Sequence, residues 1–173
     1  PKATFGTTTL TISESYDIFV AKLDPNGNWL WATKAGGTDE DQTYVITIDS
    51  QGNTYVIGVF QGTPATFGTT TLTSSGSRDI FVAKLDPNGN WLWAKNAGGT
   101  GGDSGVGITV DSQGGICVAG QFSSTATFGT TTLTSNGSSD IFVAKLKGAK
   151  PTAVAEELNS DKAKPVKFAL SQN

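Results

Sequence analysis

The nonapeptide Ala-Thr-Phe-Gly-Thr-Thr-Thr-Leu-Thr occurs three times in this chain, beginning at Ala3, Ala65 and Ala126. Each copy is followed by Asp-Ile-Phe-Val-Ala-Lys-Leu, from Asp17, Asp79 and Asp140. The copies lie 62 and then 61 residues apart, Pro64 being the extra residue. Residues 3–63 match 65–125 at about 42 of 61 positions, and 126–146 match 65–85 at about 19 of 21. The third copy therefore stops about a third of the way through its period. A repeat of this length marks an array of supersecondary units, none of which can bury its apolar face alone. The chain divides into repeats over 1–146 and a compositionally unrelated linker and tail over 147–173.

Four strands are predicted per period. Ile18 to Leu23 is an apolar run, followed by Asp24-Pro25-Asn26-Gly27 and then Trp29-Leu30-Trp31-Ala32. Pro at the second turn position and Gly at the fourth suit a type I turn closing into a Gly bulge, which makes a hairpin. Val45 to Asp49, the turn Ser50-Gln51-Gly52-Asn53, and Thr54 to Phe60 form a second hairpin. The Thr-rich nonapeptide reads as a long loop or a short edge strand. No repeat segment has a 3.6-residue apolar period, so no helix is expected there.

Along Ile18-Phe19-Val20-Ala21-Lys22-Leu23 both alternating sets are apolar except Lys22. A half-exposed sheet would read apolar on one face and polar on the other. These sheets must be covered on both faces, as when one four-stranded blade is packed between two others. The fold expected is all-β: propeller-like repeats of four-stranded antiparallel sheets, about two and a half periods, incomplete as a closed ring.

Composition narrows the function. The 173 residues carry twelve basic and fifteen acidic side chains, thinly spread, without the clustered basic face that nucleic-acid binding needs. No run approaches eighteen apolar residues, so membrane insertion is not expected. Residue 1 is Pro rather than Met, which reads as a processed chain or a fragment. There is no His for acid–base work near neutral pH, and the single thiol, Cys117, aligns with Tyr55 inside an apolar strand and reads as core. Carboxylates remain available in pairs for glycoside hydrolysis, but all sit at turns repeated in each period. No catalytic residue and no cofactor is assigned.

Three acidic features place oxygen ligands in patterns that suggest calcium sites. Asp24 to Asn28 and its copy Asp86 to Asn90 alternate oxygen-bearing side chains, but Gly is fourth and Ala35 twelfth where an EF-hand needs Gly sixth and Glu twelfth. They read as turns. Thr38-Asp39-Glu40-Asp41 is denser, and only Asp41 has an acidic counterpart, Asp103. It reads as a solvated acidic corner, with one calcium ion as the alternative. Asp17, Asp79 and Asp140 open the same strand three times, either as local turn-formers or as a ring of ligands.

Taken in order, Asp-Ile-Phe-Val-Ala-Lys-Leu-Asp-Pro-Asn-Gly-Asn-Trp-Leu-Trp-Ala, then Ala-Gly-Gly-Thr, then Ile-Thr-Val-Asp-Ser-Gln-Gly resembles the bacterial β-propeller repeat named for seven-bladed propellers. The resemblance covers residues 3–146. It implies blades of an exported bacterial protein, with 45–60 as the two inner strands and 17–34 as the two outer ones, and it carries no catalytic residue set. Pro165-Val166-Lys167-Phe168-Ala169-Leu170 resembles the entry to the C-terminal sorting domain of proteins exported by the type IX route, the alternative being an ordinary terminal strand. An extracellular or cell-surface location follows from both.

Fewer than three periods cannot close a propeller of four to eight blades. The end blades would expose wide apolar faces, so an assembly interface is expected at Phe19, Trp29, Trp31, Ile141, Phe142, Val143, Phe168 and Leu170. The partners expected are other copies of the chain, making an extracellular filament, tube or layer. The alternative is a binding module of a larger propeller, facing carbohydrate or a surface protein, in which one Trp of each pair packs between blades and the other faces outward.

Overall fold

The computed structural model describes residues 1–12, 15–62 and 64–146, among which there are fifteen strands and no helix. The predicted tail strand with Phe168 and Leu170 lies outside the described residues. The middle blade is complete: β5 (Gln42–Ile48), β6 (Thr54–Phe60), β9 (Asp79–Leu85) and β10 (Trp91–Gly99) form an antiparallel meander. Before it stand β3 (Ile18–Leu23) and β4 (Trp29–Ala35), the outer half of a first blade. After it stand β11 (Ser104–Val110), β12 (Ile116–Phe122) and β15 (Asp140–Leu146), a third blade with three strands. The fold is all-β and propeller-like, with an incomplete ring of blades.

The repeat and the blade are out of phase. One sequence period supplies the outer half of one sheet and the inner half of the next, so consecutive sheets are linked through the chain itself. The Thr-rich nonapeptide is not a long loop but a pair of short strands, and in its third copy these strands extend the edge of the middle sheet. It forms small hairpins, β1 (Lys2–Phe5) with β2 (Thr8–Thr11), β7 (Ala65–Phe67) with β8 (Thr70–Leu72), and β13 (Thr125–Phe128) with β14 (Thr131–Thr134). The second and third hairpins are each inserted between the second and third strands of their own blade and reach back to the preceding one. Gly36 and Thr66 exchange backbone hydrogen bonds of 3.1 and 2.9 Å, and Gly98–Gly99 pairs with Thr127–Ala126. The two backbones approach so closely that a Cβ on Gly37 would strike the Pro64 carbonyl, which explains the paired glycines.

The Asp-Pro-Asn-Gly segment folds as its composition demands. Gly27 N–H donates to the Asp24 carbonyl at 3.0 Å, Asp24 N–H to the Asn28 carbonyl at 2.8 Å, and Gly27 takes φ 85°. This is the type I turn with a Gly bulge. A second irregularity was not foreseen. The ladder shifts at Leu30 and again at Leu92, so that Trp91 stands opposite Leu85 while Trp93 stands opposite Lys84. A bulge residue breaks the two-residue alternation. The two tryptophans of each pair therefore face opposite sides of the sheet, and both lie between blades where a neighbour exists. Leu30 and Leu92, the bulge residues, are exposed in both copies, and Trp29 is exposed where the first blade has no neighbour.

Two apolar clusters result. The first holds Ile18, Val20, Val56, Phe60, Phe67, Phe81 and Leu85, between the first and second blades. The second holds Tyr55, Ile57, Ile80, Val82, Ile116, Val118, Phe122 and Phe142, between the second and third. All seven residues of β6 are buried, as expected of a sheet covered on both faces. Cys117 departs from its assignment to the core. It is only half-buried, because it faces away from the second blade on the open side of the third.

Phe19 and Phe81 occupy the same repeat position, yet Phe19 is 56% exposed and Phe81 fully buried. Phe81→Ala should lose about 3–5 kcal/mol of stability, as large core deletions do. Phe19→Ala should lose under about 1 kcal/mol. Urea unfolding of the two variants checks the difference, and equal losses would contradict the blade order.

Candidate functional site

The residues expected at an interface fall into three groups. Phe19 and Trp29 lie on the open front of the first blade, where Phe5 of the β1–β2 hairpin packs against both rings at 4.9 and 5.2 Å. In the middle blade the same triad is Phe67, Phe81 and Trp91, at 5.0 and 5.4 Å, and there it is packed against the first blade. Tyr44, Ile46 and Ile48 of β5 extend the open front, because β3 and β4 cover only the outer half of the sheet behind them. Ile141 and Val143 are 84% and 78% exposed on the back of β15, while their counterparts Ile80 and Val82 are 1% and 5% exposed.

Phe142 and Trp31 are placed differently. Phe142 alternates with Ile141 and Val143, so it turns inward to the second cluster and packs on Phe128 at 4.6 Å. Trp31 is half-buried in the contact between first and second blades, where its indole N–H donates to the Pro87 carbonyl at 3.0 Å. In return Trp91 donates to the Lys34 carbonyl at 3.0 Å. This reciprocal lock depends on the bulge that splits each tryptophan pair.

The acidic residues sort by depth. Asp24 and Asp86 are consumed by their own turns: Asp24 Oδ1 accepts from Asn26 and Asn28 N–H groups, and Oδ2 from the Asn28 side chain at 2.8 Å. The Asn28 side-chain bond holds the Asp24 carboxyl below the usual value, and Asn90 does the same for Asp86. Asp111 makes the same turn but has Gly115 where Asn53 and Asn90 stand. Lys145 takes the vacant oxygen at 2.7 Å and is the main cause of that carboxyl's lowered pKa. In the middle blade the corresponding Lys84 lies instead over the Tyr55 ring, whose place is taken by Cys117 in the third. The two substitutions and the changed partner of the unchanged lysine form one compensated set.

Asp41 and Asp103 are not a solvated corner. Both are about 1% exposed, and Asp79 is fully buried. Gly36 lies over Asp17 and Asp41, and Gly98 over Asp79 and Asp103, so each blade junction contains two carboxylates under a glycine. Their function is to satisfy loop N–H groups. Gly37 donates to Asp41 at 2.7 Å, Ser75 to Asp79 at 2.6 Å, and Gly99 to Asp103 at 2.8 Å. Asp140 holds Asn136 in the same way, at 2.9 Å. Burial raises all three carboxyls, and Asp41, pushed further by the neighbouring Asp17, reaches about 6. Sequence reasoning missed this because Thr38 to Asp41 and Thr100 to Asp103 differ at all but the last position besides Thr. The signal present was the recurrence of Gly-Gly-Thr-x-x-Asp.

No protein-family model matches the chain. It is 32% identical over 114 residues to an uncharacterized WD repeat-containing protein, L264, of Acanthamoeba polyphaga mimivirus. The match covers 56% of this chain and 8% of that protein, so the chain spans a small part of the relative's length. WD repeats are themselves propeller blades, and the likeness agrees with the all-β repeat fold.

The two carboxylate classes should place the maximum of stability on the acid side of neutrality. A buried carboxyl raised from 3.8 to about 6 binds a proton in the folded state that the unfolded state has released. Stability should therefore fall as pH rises from about 4 through 6, by on the order of 3 kcal/mol for Asp41. The turn carboxylates act oppositely and withdraw their support only as pH drops below about 4. Thermal unfolding should give a higher Tm at pH 5 than at pH 7.5, and Asp41→Asn should flatten that slope. An unchanged slope in the variant would contradict the assignment.

Proposed function

We propose that the chain is a non-catalytic blade module whose two open sheet faces are joined by blades of the same repeat within a larger β-propeller, which presents a binding surface for carbohydrate or protein outside the cell or at its surface. One observation carries this reading: the side chains exposed at the two ends are the repeat counterparts of side chains buried, or for Trp91 half-buried, at contacts inside the chain. Phe19 and Trp29 correspond to Phe81 and Trp91, and Ile141 and Val143 to Ile80 and Val82. A neighbouring blade would cover each end by repeating a contact the chain already makes. Burial of each large apolar side chain contributes about 1.5–3 kcal/mol, so leaving both faces in water is strongly unfavourable. The non-catalytic reading rests on the absence of His from the sequence and on the use of the acidic side chains in turns and loop junctions. The location outside the cell rests on the repeat resemblance alone.

A second reading is favoured by the difference between the ends. Front and back are unlike surfaces, so copies of the chain joined front to back make a heterologous contact, which closes into a ring or continues as a filament. The covering blades are then other copies, and the product is an extracellular filament, tube or layer.

The isolated chain should self-associate at micromolar concentration, and light scattering should find it larger than a monomer. Phe19→Asp blocks the front only, and Ile141→Asp the back only. Each variant alone should be monomeric, while an equimolar mixture should form dimers and nothing larger. A monodisperse wild-type monomer would contradict the need for covered faces, and growth of the mixture beyond dimers would contradict front-to-back joining.

A further inference from the structure

The open edge of β15 differs from the open faces and carries its own recognition chemistry. β15 pairs with β12 on one side, and among the described residues no strand pairs with the other. A hollow of about 700 Å³ runs along β15, between Phe142, Ala144 and Leu146 and the Ala94–Ala97 stretch of β10, and at Lys95 and Leu146 it meets a second of about 590 Å³ that Trp93 lines. Between the first and second blades the equivalent space is filled. There the turn before β10 and the first residues of β10 carry the reciprocal lock, with Trp31 donating to Pro87 O, Trp91 donating to Lys34 O, and the Trp31 ring lying against Gly89.

One repeat later, half of the lock is present. Trp93 stands where Trp31 stands, packed edge-on against Tyr55 at 6.3 Å, and the Asn96 carbonyl is the counterpart of the Lys34 acceptor. No described residue accepts from the Trp93 indole. The sequence that follows does not supply the missing half: the positions of Trp91 and Trp93 in the third copy are Thr152 and Val154. A segment that does supply it lies at the other end of the molecule. β4 is preceded by Asp24-Pro25-Asn26-Gly27-Asn28 and begins with Trp29, and it pairs with Ile-Phe-Val-Ala-Lys-Leu of β3. β15 has that same hexapeptide at 141–146, already backed by β12 and β11. Among the described residues β3 and β4 form a sheet only with each other, and two-stranded sheets are marginal in water.

We propose that the β15 edge and its groove form a strand-capture site for the segment Asp24–Ala35 of a second copy of this chain. The captured strand completes a four-stranded third blade in the register β4 already uses. It places Trp29 in the groove with its N–H toward the Asn96 carbonyl, and it brings the Pro25 carbonyl to Trp93. Main-chain bonds along the edge supply affinity, and the two indole bonds fix the register. This contact is made at a sheet edge and does not depend on face-to-face stacking.

The test is titration of the 173-residue chain with a synthetic peptide of residues 24–35, followed by calorimetry and by the fluorescence of a dye on the peptide. Saturable one-to-one binding is expected, weakened at least tenfold by Trp29→Ala in the peptide. Ala144→Trp in the chain, placed at the half-buried groove wall, should abolish it without lowering Tm by more than a few degrees. Phe19→Asp, which blocks face stacking from the other end of the molecule, should leave the peptide affinity within twofold, so loss of stacking and loss of capture are told apart. No binding, or equal binding of the wild-type and Trp29→Ala peptides, would overturn the proposal. Binding that survives Ala144→Trp in a folded chain would overturn it as well.

Discussion

Everything in this molecule depends on covering both faces of each sheet. The strand Asp-Ile-Phe-Val-Ala-Lys-Leu has apolar side chains on both sides and cannot rest half in water. In the middle blade the problem is solved from within: Phe81 and Leu85 face the first blade, and Ile80 and Val82 the third. The phase shift between repeat and blade makes this economical. Each period begins in one sheet and ends in the next, so the chain cannot fold one repeat without placing strands in two blades. The hairpins add a backbone link across each junction at Gly36 and Gly98.

The buried carboxylates belong to the same junctions. Bringing a hairpin back to the preceding blade leaves loop N–H groups away from water, and unpaired buried donors are unfavourable. Asp41, Asp79 and Asp103 accept from them. The consequence is two carboxyls under one glycine at each junction, at the expense of like-charge proximity and desolvation. Raised pKa values follow from that arrangement, and the junction is the point of the stack that weakens as pH rises toward neutrality. The exposed Asp turns, whose carboxyls are held low by their own Asn partners, have no such sensitivity near neutral pH.

Much of the fold was legible because it rests on local periodicity. The two hairpins of each period, the type I turns and the doubly covered sheet could be read from Asp24 to Ala32 and from Val45 to Phe60. What escaped was set by tertiary geometry. The bulge at Leu92 inverts the side of Trp93 relative to Trp91, and nothing in Trp-Leu-Trp distinguishes a bulged from a regular strand. The Ala-Thr-Phe hairpin is too short to show its pairing in composition, since its second partner lies in another blade. Asp41 read as exposed because its neighbours Asp39 and Glu40 are charged, while its burial depends on a loop twenty residues further on. Of the expected interface, Phe19, Trp29, Ile141 and Val143 lie on open faces, whereas Phe142 was lost to strand alternation and Trp31 to the bulge.

Three strands with the same core sequence, β3, β9 and β15, sit in three environments, and amide hydrogen exchange resolves them within one molecule. At a concentration low enough to dissociate any assembly, the amides of β9 should exchange about a hundredfold or more slowly than those of β3 and of the open edge of β15. β6 should be as protected as β9. Equal protection across the three copies would mean that position in the stack does not govern burial, and would contradict the central claim that covering both faces of each sheet is what holds this fold together.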